Sequence, residues 1–110
     1  MIKVVIYKAR EGEIAGFKVT GHAGFGSHGK DIVCSAVSAL AQTALLGLLN
    51  VAEAQVDYKI DEGYLACSLL DTDSEKKRIM CEAILGTMYE GLKSIQESYI
   101  KYIGIVEEEV

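Results

Sequence analysis

Apolar and polar residues alternate from the start of the chain, with Ile2, Val4 and Ile6 on one face of an extended segment that runs to Lys8. Alternation with a period of two marks a strand buried on one side. Arg10-Glu11-Gly12 offers a turn, and Glu13 to Thr20 follows with Ile14, Phe17 and Val19, which predicts a hairpin. From Ile32 to Ala52 no residue carries a charge, and Asp31 stands just before as a helix N-cap. Alternation returns over Gln55 to Asp61 through Val56, Tyr58 and Ile60. Asp61-Glu62-Gly63 then turns the chain into Tyr64 to Leu70, a second hairpin. Thr72-Asp73-Ser74-Glu75 fits a capping box, in which a hydroxyl and a carboxylate three residues apart serve each other's backbone donors. A long helix to about Tyr99 is predicted next, with Ile79, Ala83, Leu85, Met88, Leu92, Ile95 and Tyr99 spaced to face a core. Ile103 to Val106 suits a short edge strand before an acidic tail. The order strand-strand-helix-strand-strand-helix predicts an α+β fold: one domain over residues 1–110, with helices packed on a mainly antiparallel sheet.

The uncharged helix is long enough to cross a bilayer. Cys34, Ser35, Ser38, Gln42, Thr43 and Asn50 interrupt it, however, and its flanks lack aromatic anchors and a Lys/Arg-rich side. It is expected to pack on nearly all sides, in the centre of the fold or across a subunit interface, and no membrane partner is expected. A domain of 110 residues has little interior in which to cover both faces of such a helix, so an isologous homodimer would cover it naturally.

Charge and composition narrow the classes further. Eleven Lys+Arg against sixteen Asp+Glu give a net charge of −5, which argues against a sequence-independent grip on a nucleic-acid backbone. A basic protein or peptide remains an acceptable partner. Half of the residues are hydrophobic, which excludes an extended disordered chain. Cys34, Cys67 and Cys81 are odd in number and lack C-x-x-C spacing, the pattern of free thiols in a reducing compartment. Met1-Ile2-Lys3-Val4 leads straight into strand-like sequence with no sign of a signal peptide, so a cytoplasmic location is expected.

Candidate chemistry gathers around the glycine-rich segment Gly21 to Gly29. Gly24-Phe25-Gly26-Ser27-His28-Gly29 matches G-x-G-x-x-G, and Gly24 through Lys30 matches the first seven positions of a P-loop. Asp31 stands where that motif needs Ser or Thr, and the preceding strands form a hairpin rather than half of a βαβ unit, so both matches read as coincidence. His22, His28 and Cys34 have no compact ligand spacing and no evident fourth ligand, so no metal and no cofactor are expected. His22 and Cys34 form the more informative pair. Cys34 occupies the third helical position after Asp31, where unpaired amides and the helix dipole favour an anion. An imidazole in contact would supply the base of a nucleophilic cysteine. Residue types and spacing leave open the plainer alternative, a buried structural cysteine and a turn histidine. Ser38 lies one turn beyond Cys34 on the same face, suited to a substrate carbonyl or simply to its own helix. Asp31 would orient His22 or only cap the helix. Cys67 and Cys81 sit on apolar faces as small packed side chains.

The segment Gly21-His22-Ala23-Gly24-Phe25, followed by Gly29-Lys30-Asp31-Ile32-Val33-Cys34-Ser35-Ala36-Val37-Ser38-Ala39-Leu40, resembles the ribosomal-processing cysteine protease family called Prp. That family has a G-H-A turn, a glycine-containing loop and a D-I-V-C-[AS]-A-V-S helix start. The resemblance implies a cytoplasmic bacterial thiol protease that acts as a homodimer. Its implied substrate is a large-subunit ribosomal protein, cut after a Phe-Phe pair and before Ala to remove a short N-terminal extension. By motif position it implies Cys34 as nucleophile and His22 as base, with Asp31 and Ser38 in supporting or substrate-binding roles. Amides near the helix start would steady the oxyanion, and the Gly24–Gly29 loop is expected to stand open until peptide binds. Lys30 departs from the family pattern, which usually carries an acidic residue there, and bears on specificity rather than on the dyad. The rival from another class is a non-catalytic ribosome-associated binding module in which Cys34 is merely packed.

Overall fold

A computed structural model describes residues 1–27, 31–72 and 74–110. The first hairpin is β1 (Ile2–Lys8) and β2 (Ile14–Thr20), followed by α1 (Ile32–Leu46), which ends in a π-helical turn over Gly47–Val51. The second hairpin is β3 (Val56–Asp61) and β4 (Tyr64–Leu69), followed by α2 (Glu75–Ser98) and β5 (Ile103–Glu109). The five strands form one sheet in the order β3-β4-β2-β1-β5. Three of the four pairings are antiparallel, and β5 lies parallel to β1. A parallel partner needs a crossover, and α2 supplies it by carrying the chain from β4 to the far edge of the sheet.

The period-two pattern of the strands and the helical stripes meet in one core. Ile2, Val4 and Ile6 of β1 join Phe17, Leu65, Cys67 and Ile103, and these pack with Val33, Val37, Ala41 and Leu45 of α1. From α2 the core takes Cys81, Leu85, Met88 and Leu92. This stripe differs from the predicted one. Ile79 is 54% exposed and Ala83 also lies outside, because the inward line runs through Cys81, which packs as a small apolar residue.

Two further boundaries differ from expectation. The α2 cap is Ser74, whose Oγ accepts the Lys77 amide at 3.2 Å. Thr72 instead accepts the Ser74 amide at 3.1 Å, so the helix starts later than the capping-box pattern placed it; Asp73 of that pattern lies outside the described residues. The acidic C-terminus is not a tail but the second half of β5, in register from Ile2 with Ile103 to Lys8 with Glu109. Its charge is answered locally: Glu107 accepts the Tyr89 hydroxyl at 2.6 Å and faces Lys8 Nζ at 3.5 Å. Carboxylates along an edge strand also discourage pairing with another sheet.

The uncharged helix is covered on one side only. Val33, Val37, Ala41, Ala44 and Leu45 point inward, whereas Ile32 and Leu46 are 57% and 56% exposed. Residues Ile32–Val51 have the length and apolarity of a membrane span, yet their inward stripe is built into the protein core.

The core assignment of α2 is checked by two truncations. Leu85→Ala should cost about 2–5 kcal/mol in urea denaturation, because Leu85 is fully buried. Ile79→Ala should cost no more than about 0.5 kcal/mol.

Candidate active site

The site is assembled where β2 ends, β4 begins and α1 starts. Gly21 closes β2 with φ at +87°, a conformation open to glycine, and turns the chain so that His22 follows directly. Its amide donates to the Gly63 carbonyl at 3.0 Å, which ties the β2 end to the β3–β4 turn. Ala23 is buried, and its amide donates to Cys34 Sγ at 3.1 Å. Cys34 itself is half-buried in the first turn of α1.

Asp31 connects these parts. Its Oδ1 accepts the amides of Val33 at 2.9 Å and Cys34 at 3.0 Å, which caps the helix. Its Oδ2 accepts the amides of Phe25 at 2.9 Å and Gly26 at 3.1 Å, which draws the loop down onto the helix end. Burial pushes the Asp31 carboxyl pKa up, but the amides of Cys34, Gly26, Phe25 and Val33 outweigh it and hold it below its ordinary value. The Phe25 ring adds a second anchor. It lies edge-on to Tyr99 at 5.4 Å and to Tyr102 at 5.1 Å, beyond the end of α2.

A cavity of about 570 Å³ opens over this arrangement and is lined by all four residues singled out from the sequence: His22, Asp31, Cys34 and Ser38. The Ser38 hydroxyl accepts from Gln42 Nε2 at 2.8 Å, and both residues border the cavity one turn apart. The facing wall is the β3–β4 turn from Ile60 to Leu65, with Ile2 and Val19 at its base. Gln42 was legible as the next residue in the i, i+4 series from Cys34 and Ser38. The β3–β4 wall carried no sequence signal, because only the strand order brings it to α1.

Two expectations change on this geometry. The amides of Val33 and Cys34 serve the Asp31 carboxylate and that of Ser35 its carbonyl, so the helix start is already occupied as an oxyanion donor set. The loop through Ser27 does not stand open but is held by Asp31 and the two tyrosines. The phosphate motifs lose their donors in the same way, since the Phe25 and Gly26 amides face a carboxylate. His28, Gly29 and Lys30, and with them the rest of those motifs and the question of specificity at Lys30, lie outside the described residues. Among the described residues no group of three or more His, Cys, Asp and Glu is placed to hold a metal ion.

The other two thiols stand apart from this site. Burial pushes the Cys67 pKa up to about 12, and it raises that of Cys81 as well. Both are buried in the core.

A sequence model of the family described as cysteine protease Prp matches residues 1–104. The chain belongs to the cysteine protease Prp family. A relative named ribosomal processing cysteine protease Prp, from Bacillus subtilis, is 29% identical over 101 residues, covering 90% of each chain. The crystal structure of the essential ribosomal processing protease Prp from S. aureus, in complex with a covalently linked product peptide, superposes with a TM-score of 0.87. It is 28% identical and covers 98% of this chain and 100% of its own. The structure of SMU.848 from Streptococcus mutans gives a TM-score of 0.82 at 25% identity, covering 100% of this chain and 96% of its own. This Prp-family chain is thus a cysteine protease with the α+β architecture of its relatives.

Asp31 gives the site a defined pH response. Because its folded pKa is depressed, its contribution to stability is present above the ordinary value of 3.8 and is lost as pH falls through the lower folded value. Asp31→Asn should therefore lower the urea midpoint at pH 7, and the gap from the parent should narrow as the acid range below 3.8 is entered.

Proposed function

We propose that this Prp-family protease removes an N-terminal extension from a large-subunit ribosomal protein during ribosome assembly, with Cys34 as nucleophile and His22 as general acid and base. The observation that carries this is the Cys34 sulfur, held by the Ala23 amide at 3.1 Å and bordering the cavity that His22 also lines. The relatives named for ribosomal processing, and the peptide covalently linked to the S. aureus protein, support the same reading.

The chemistry follows from the groups present and needs no cofactor. The Cys34 thiolate attacks the scissile carbonyl carbon and a tetrahedral oxyanion forms. The Ala23 N–H, already directed at the sulfur, is the described donor that supports that oxygen. Protonated His22 gives its proton to the departing amine as the C–N bond breaks and the thioester remains. His22 then takes a proton from water, whose oxygen attacks the thioester, releasing the acid product and the thiolate. Asp31 holds the loop and the nucleophile's turn in place, and Ser38 presents its hydroxyl proton to a substrate carbonyl while its oxygen accepts from Gln42. A ribosomal substrate of this kind supports a cytoplasmic location.

The open face of α1 supports a homodimer. Ile32 and Leu46 project from the same side, with Ala39 and Thr43 exposed between them, which gives a self-complementary apolar strip. Solution scattering at micromolar concentration should give the mass of two chains, and Leu46→Arg should return the mass of one.

A peptide with a Phe-Phe-Ala junction, analysed by mass spectrometry, tests the activity. Cleavage before Ala by the parent and none by Cys34→Ala or His22→Ala is the expected result. Cleavage that survives Cys34→Ala would remove Cys34 from the reaction.

A further inference from the structure

The β3–β4 turn meets the histidine at an unusual place. Gly63 has φ at +65°, and its carbonyl accepts the Gly21 amide at 3.0 Å, which fixes the residue directly before His22. Its bare Cα faces the imidazole. A Cβ at this position would stand 3.2 Å from His22 Nε2 and 3.6 Å from Cε1, with Cδ2 at 3.9 Å. The first of these is tighter than an ordinary van der Waals contact, so the ring would have to give way by a few tenths of an ångström. One residue from a separate hairpin thus fixes the residue before this histidine and leaves space for its ring.

We infer that Gly63 is a positioning residue for catalysis: the missing side chain seats the His22 imidazole, and the carbonyl fixes the backbone that carries it. This rests on the acid–base role proposed for His22. Proton transfer to a leaving amine tolerates little misplacement, and about 1 Å of displacement in such a group is enough for losses of about a hundredfold. The turn is also part of the cavity wall that a peptide must touch, so the seat of the base and the substrate surface belong to the same hairpin.

Gly12 provides the control. It too has positive φ, at +94°, but nothing lies within 4 Å of the Cβ it would carry, and it occupies the β1–β2 turn at the opposite end of the sheet. Alanine at 12 and at 63 therefore each strains the backbone, and only the second meets the imidazole.

The test uses the full chain and follows the His22 imidazole Cε1–H by NMR across a pH titration, assigned by its absence in His22→Ala. Gly63→Ala should move that resonance and its titration midpoint and lower kcat on the Phe-Phe-Ala peptide by about tenfold or more, with KM altered by no more than about twofold. Gly12→Ala should lose thermal stability through backbone strain yet keep the parental resonance, midpoint and kcat. Gly63→Asn keeps the Cβ in a residue that tolerates positive φ, and carries the same expectation if the alanine variant does not fold. A parental His22 resonance and midpoint in a folded position-63 variant would overturn the inference. Parental cleavage by His22→Ala would overturn the acid–base role instead, and the resonance would still report whether Gly63 seats the ring.

Discussion

The Asp31 carboxylate accepts four backbone amides, two from the first turn of α1 and two from the loop that precedes it. A helix start and a glycine-rich loop would otherwise each leave unpaired donors, and both would be free to move independently. One buried side chain joins them into a single unit and places its negative charge at the positive end of the helix dipole. The Ala23 amide reaches the Cys34 sulfur from within that unit. The same carboxylate also determines which amides are already engaged, and so directs attention from the helix start to Ala23 as the donor beside the sulfur.

Sheet order supplies the rest of the site. β2 lies between β1 and β4, so the end of β2 that carries Gly21 comes beside the turn that carries Gly63. Pairing of Thr20 with Tyr64 places these two turns in register, and the bond from Gly21 to Gly63 continues the ladder by one step. The helix crossing this end of the sheet then contributes Cys34, Ser38 and Gln42 from one face. The histidine and the cysteine are separated by only a loop in sequence, whereas the wall opposite them, Ile60 to Leu65, lies beyond a whole helix and arrives only through folding.

The local pattern made much of this legible. Alternation located β1 and β4 closely because each buries one face, and it located β3 too, although Tyr58 and Ile60 there are exposed; the Asp31 cap was evident from its position before an uncharged helix. β5 was underestimated because hydropathy alone treats Glu107 to Glu109 as solvated tail, while Tyr89 and Lys8 receive the charge of Glu107 from elements distant in sequence. The α2 stripe was legible at Leu85, Met88 and Leu92 and missed only at Ile79 and Ala83, because Ile79 looks more apolar than Cys81 and packing selected the smaller residue. His22 and Cys34 stood out through residue type, and the family motif reinforced them. Gly63 did not, since its significance lies in an absent side chain and a neighbour that no spacing rule connects to it.

The fold sets one thiol apart from two others. Cys67 and Cys81 are buried with raised pKa values, while Cys34 lies half-buried at a helix start with an amide directed at its sulfur. Alkylation of the folded protein with iodoacetamide at neutral pH, followed by peptide mapping, measures this directly. The account predicts modification of Cys34 well before Cys67 or Cys81, with all three modified once the chain is unfolded in urea. Equal rates in the folded protein, or a Cys34 slower than the other two, would contradict it.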